Sequence, residues 1–204
     1  MRMIQTWGQR LLVGVVSVGM MTGLGVVEAA PAQALTGFSN GSFETPVVTP
    51  GTFQDFAAGT SLGAWTVSQG NVDLIGAGFW QAADGVQSVD LDGSAFPLTG
   101  GVIQTFSTVP LLKYKVSYKL AGNPAAGPTV KTGEVRANGH VLQSFSFDVT
   151  GKSFTTMGYM GKETHFIATS LSSTLEFRST TGSGFGPVID TVTVESCLLV
   201  ICLG

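Results

Sequence analysis

Between Leu35 and Glu195 no stretch of twelve residues places apolar side chains at helical spacing, and the chain alternates with a period of two instead. Tyr114, Val116, Tyr118 and Leu120 share one face of such a segment, and Lys115, Ser117 and Lys119 share the other. That is the pattern of a strand buried on one side. It recurs at residues 86–92, 102–108, 141–149, 164–168, 174–178 and 188–194. Turn signals separate the segments: Gly100-Gly101, Asn123-Pro124, Asn138-Gly139, Thr150-Gly151 and Gly182-Ser183-Gly184. Eight or more short strands punctuated by glycine predict an all-β antiparallel β-sandwich, a jelly roll.

Charge narrows the class further. The formal charge is −3 and no Lys/Arg cluster occurs, which excludes the phosphate neutralisation that drives nucleic-acid binding. A hydrophobic content of 44% supplies enough apolar surface to exclude disorder.

The amino terminus reads as an export signal. Arg2 and Arg10 precede an uncharged run over residues 11–27, and Ala32-Gln33-Ala34 provides small residues for cleavage. The run is close to the minimum for spanning a bilayer, but the polar Thr36, Ser39 and Asn40 that follow favour cleavage over anchoring. The expectation is a signal peptide over 1–34, one domain over 35–195 and a short tail over 196–204, secreted to the extracellular space or cell surface with no stable membrane span. Beyond residue 34 there remain 8 basic and 12 acidic residues.

Both cysteines fall in the tail, in Cys197-Leu-Leu-Val-Ile-Cys202. In an oxidising compartment they are expected to pair and tie down the end of the chain, unpaired or intermolecular thiols being the other reading. Two thiols without a nearby histidine do not make a metal site.

An ordered set of motifs carries a resemblance. Asn40-Gly-Ser-Phe-Glu44 is followed by Gly63-Ala-Trp65, Gly70-Asn-Val-Asp73, Trp80-Gln-Ala-Ala-Asp84-Gly85, Gln87-Ser-Val-Asp-Leu-Asp-Gly93 and Gly101-Val-Ile-Gln104. Leu120-Ala-Gly-Asn123, Phe145-Ser-Phe-Asp148 and Gly186-Pro-Val-Ile-Asp190 complete it. In this order they resemble the choice-of-anchor C family of exported bacterial proteins, itself similar to a plant cell-wall family of formerly unknown function. The resemblance implies a galactose-binding-like jelly roll that binds a polysaccharide or other glycan, with cell-wall proteins as further partners. It also implies a structural Ca²⁺ held by Glu44 and Asp190, since modules with this opening and an aspartate in the last strand often hold one. The residues alone also allow Glu44 to cap a turn and Asp190 to bind backbone amides.

Other residues invite a ligand reading. Phe79-Trp80 are consecutive aromatics that cannot both face one core, so Trp80 with Gln81, Asp84 and Asn123 forms the candidate sugar site, with core packing of Trp80 as the competing reading. Trp65 begins an apolar alternation and is assigned to the core. Asp90 and Asp92 share one strand face and could act as a glycosidase pair, contribute to a ligand site, or end the strand as solvated acids. His140 and His165 lie in no nucleophile motif, and no Gly-X-Ser-X-Gly elbow occurs. The expectation is a non-catalytic carbohydrate-binding module. The rivals are an adhesive matrix protein that binds other proteins and, more weakly, a glycan hydrolase.

Overall fold

A computed structural model describes residues 37–95 and 98–197. The expected signal peptide over 1–34 and Cys202 lie outside the described residues. Cys197 ends the last strand and is buried.

Two six-stranded antiparallel sheets face each other. The first has the order β1 (Phe53–Ala57), β4 (Asn71–Ile75), β5 (Ser88–Asp90), β12 (Pro187–Cys197), β7 (Lys113–Gly122), β10 (Met160–Ile167). The second has the order β2 (Ser61–Leu62), β3 (Trp65–Gln69), β6 (Gly101–Ser107), β11 (Ser172–Ser179), β8 (Val130–Ala137), β9 (His140–Asp148). This is the antiparallel jelly-roll sandwich expected from the alternation. Among the described residues no helix is long and apolar enough to cross a membrane.

The core fills the space between the sheets. Val72, Leu74, Val89, Tyr118, Leu120 and Ile189 come from the first sheet, and Val67, Val102, Val135, Leu175 and Phe177 from the second. Trp65 is wholly buried, stacked on Phe43 at 5.3 Å and edged by Phe38 at 5.8 Å. Its assignment to the core therefore holds, and its indole N–H donates to the Asn40 carbonyl.

Residues 37–52 form no strand, so Glu44 does not lie on a first strand beside the last one. The segment instead lies against a bulge in β12 between Asp190 and Thr193, where the Val192 N–H donates to the Gly41 carbonyl. A Cβ on Gly41 would sit 1.9 Å from the Val192 oxygen, so only glycine permits this approach. Gln87 completes the seam. Its side-chain amide donates to the Phe43 and Pro46 carbonyls and its Oε1 accepts from the Val48 N–H.

The first sheet is covered on its outer side as well. Directly opposed antiparallel residues share a face, so the pairs Phe53 with Ile75, Asp55 with Asp73 and Asp73 with Asp90 place one row of side chains away from the inter-sheet core. All five residues of β4 are nevertheless buried. Over this outer row the loops that carry Phe79, Trp80, Ser94, Phe154 and Phe185 close a second layer.

Candidate functional site

That layer leaves a cavity of about 320 Å³ on the outer face of the first sheet. Its walls are aromatic: Phe53 on β1, Phe79 and Trp80 in the loop after β4, Phe154 in the loop after β9, and Phe185 before β12. Phe79 is the hub, with ring centroids 5.5 Å from Phe53, 5.6 Å from Trp80 and 5.4 Å from Phe154. Phe53 and Phe154 are 43% and 37% exposed and form the open rim. Trp80, at 6%, lies beneath it with its indole N–H donating to Ser88 Oγ at 2.8 Å.

The consecutive aromatics thus divide, but not as expected. Trp80 lines the cavity from below as a packed ring, and the half-buried Phe79 joins the exposed Phe53 and Phe154 at the rim. Removing a ring so buried leaves a void that its neighbours cannot fill. Trp80→Ala is expected to cost about 3 kcal/mol, read as a fall in melting temperature.

The other expected ligand residues serve the loops. Gln81 is joined to the 154–157 loop: its N–H donates to the Phe154 carbonyl and its Oε1 accepts from the Met157 N–H. Asp84 is exposed, gives its N–H to Asp190 and does not line the cavity. Asn123 does line it, in the turn after β7. Its Nδ2 donates to Asp90 at 2.8 Å and its Oδ1 accepts from the Ala125 N–H.

Glu44 and Asp190 hold one loop from two sides. Glu44 Oε1 accepts from Val86 and Gln87 N–H groups at 2.9 and 3.0 Å. Asp190 Oδ2 accepts from Ala83 and Asp84, and its Oδ1 from Thr191. This is the amide-binding reading of both residues. A Ca²⁺ ion takes six to eight oxygens, and here N–H donors face the lone pairs it would need on both Asp190 oxygens. Both carboxylates are thus already engaged by backbone N–H donors. The described residues contain no cluster of three acidic, histidine or cysteine side chains that could hold a metal. EDTA is accordingly expected to leave the melting temperature unchanged, and a fall reversed by added Ca²⁺ would contradict the geometry.

Asp90 and Asp92 are buried, not solvated acids at a strand end. Asp90, 1% exposed, accepts from the Asp92 and Gly186 N–H groups and from Asn123. A Cβ on Gly186 would lie 2.6 Å from its Oδ1. Asp92 Oδ2 accepts from the Ser183 N–H. Lys131 reaches the same region from β8, fully buried, with Nζ donating to the Ala126 carbonyl at 2.7 Å. Burial pulls its pKa down, and Asp90 and Asp92 act against that pull.

Burial also raises the acids. Asp90 is pushed up to about 8, and Asp73 and Asp190 each to about 6, with the N–H bonds only partly offsetting desolvation. Below the ordinary carboxylate pKa of about 3.9 the folded and unfolded states are protonated alike. As pH rises the unfolded chain loses these protons first, so stability is greatest at acid pH and falls through the folded-state values. The melting temperature is expected to drop by about 5 °C or more between pH 4 and pH 8. A melting temperature rising across that interval would contradict this.

A two-sheet jelly roll with an aromatic cavity on one outer face defines the class of this protein. Within that class the chain belongs to the family described as "Protein of unknown function (DUF642)", which matches residues 36–195. No curated protein matches the chain. Among solved structures it is similar to a family 35 carbohydrate binding module from Clostridium thermocellum at 12% identity and a TM-score of 0.48, covering 71% of this chain and 99% of that one. It is similar to TmCBM61 in complex with beta-1,4-galactotriose at 17% identity and a TM-score of 0.48, covering 80% and 100%. A third is the CBM22-1 xylan-binding domain from Paenibacillus barcinonensis Xyn10C, at 15% identity and a TM-score of 0.45, covering 74% and 96%.

Proposed function

We propose that this chain is a secreted, non-catalytic carbohydrate-binding module that holds a polysaccharide against the rim formed by Phe53, Phe79 and Phe154. The observation that carries the reading is the rim itself: two exposed rings and a half-buried one around a cavity with a polar floor. A pyranose presents C–H groups on one face, which pack on an aromatic plane, and hydroxyls at its edge, which need polar partners. Pockets that bind small ligands combine apolar walls with a few placed polar groups in this way, and Asp73, Ser94, Asn123 and Ser183 supply them. The implied family resemblance to exported choice-of-anchor C proteins agrees with secretion and with a polysaccharide partner. Of the carboxylates considered for hydrolysis, Asp90 is held by two backbone N–H groups and Asn123 beneath the floor, and Asp92 Oδ2 accepts from the Ser183 N–H, which supports binding without bond cleavage.

Affinity electrophoresis through gels containing soluble polysaccharides tests the proposal. Migration is expected to be retarded by at least one of them, with the polymer's chain length unchanged after incubation. Unretarded migration in every gel would remove the carbohydrate reading and leave the protein-binding matrix role.

A further inference from the structure

We infer that the cavity selects saccharides bearing no negative charge and rejects polyuronates, with Asp73 as the residue that sets this selectivity. The inference rests on the carbohydrate reading of the same cavity and names the ligand class within it.

Asp73 is the sole ionisable side chain lining the cavity among the described residues. It sits on β4 with Asp55 opposite on β1 and Asp90 opposite on β5, and among the described residues no Lys or Arg forms an ion pair with it. Its two oxygens accept from the Ser94 N–H and hydroxyl at 3.2 and 3.4 Å. Asp55 accepts from the same hydroxyl and from the Ala95 N–H.

The remaining polar lining is backed by acids in the same manner. Asn123 spends its Nδ2 on Asp90, and Ser183 gives its N–H to Asp92. One Asn123 amide hydrogen and the Ser183 N–H are therefore turned onto carboxylates, and the charge that the lining offers is carried by the Asp73 oxygens. A sugar hydroxyl can donate to them. A uronate carboxylate cannot, and it meets the Asp73 charge inside a cavity of about 320 Å³, where like charges repel. Lys131, a buried cation, does not line the cavity and its ammonium is bonded to the Ala126 carbonyl. The aromatic rim contributes no discrimination, because neutral and acidic pyranoses present the same C–H faces.

The test uses matched polymers: a soluble glucan, a galactan and a mannan, each beside the same polymer oxidised at its primary hydroxyl to the uronate. Affinity is measured at pH 8 in low salt. The neutral form of whichever polymer binds is expected to hold about tenfold or more tighter than its oxidised partner. In Asp73→Asn that ratio is expected to shrink toward unity. A second measurement needs no variant: burial pushes Asp73 up to about 6, so lowering the pH to 5 is expected to discharge it while the uronate stays charged, and the ratio should narrow in the wild-type protein too. Equal affinity for both forms at pH 8, or a ratio unaltered both by Asp73→Asn and by pH, overturns the inference while leaving carbohydrate binding intact. Binding to none of the six polymers overturns the carbohydrate reading and this inference with it.

Discussion

Replacing Asp90 with alanine is expected to cost about 3–5 kcal/mol of stability, the range seen when a buried polar network loses its central partner. Three donors converge on this carboxyl: the Asp92 and Gly186 N–H groups and the Asn123 side-chain amide. Each is buried, and none could recover its bond from water without opening the turn before β12. In a domain of this size such a loss lowers the melting temperature by about 10 °C. Asp90→Asn keeps an oxygen for the two backbone donors and should lose much less. The same variant should also flatten the decline of stability toward pH 8, because the group pushed up to about 8 is gone. If Asp90→Ala melts with the wild type, these bonds do not hold the loops over the sheet.

The opposite profile is expected of the rim. Phe53→Ala and Phe154→Ala should each weaken polysaccharide binding about tenfold, and the double variant about a hundredfold if the two act independently. Their rings are partly exposed, at 43% and 37%, so melting temperature should move less than in Trp80→Ala. Trp80→Ala, in contrast, removes the ring on which Phe79 and Phe154 rest at 5.6 and 5.8 Å, and should lose stability and binding together. Rim variants that bind as tightly as the wild type would exclude stacking at this cavity as the source of affinity.

Where the residues facing inward were all apolar, the strands could be read directly. β7 shows Tyr114, Val116, Tyr118 and Leu120 inward, and β12, β11, β9 and β6 are nearly as plain. β8 hides itself. Its inward positions are Lys131, Gly133, Val135 and Ala137, so a buried ammonium and a glycine stand where the alternation needs bulk. The glycine is there because Phe145 occupies its space: a Cβ would lie 2.5 Å from that ring. β4 conceals itself in another way, being short and closing on Leu74-Ile75, which is apolar on both faces. β1 is an edge strand too exposed to show a pattern.

The site was half legible for the same reason. Phe79-Trp80 announced that two rings must part, yet only the register of β1 against β4 shows which one faces outward, since Phe53 is brought beside Ile75 by pairing and not by sequence proximity. Phe154 stands 74 positions after Trp80 in a loop with no motif, and no local signal tied it to the cavity. Asp90 ends β5 and Asp92 lies in the bend just beyond it, not on the same strand, and the burial of both depends on the turn before β12, remote in sequence.

The seam where Gly41 meets Val192 also sets an order in time. The segment from 37 to 52 has its partners in Gln87 and in the bulge of the last strand, so contacts at the start of the domain must wait until its final strand exists. Closing such a loop is entropically slow, and domains dominated by distant pairings fold on the scale of milliseconds to seconds. The loop over 83–87, gripped by Glu44 on one side and Asp190 on the other, is then among the last parts to set. A chain still emerging from synthesis holds no finished cavity, which closes only when the first and last segments of the domain have met.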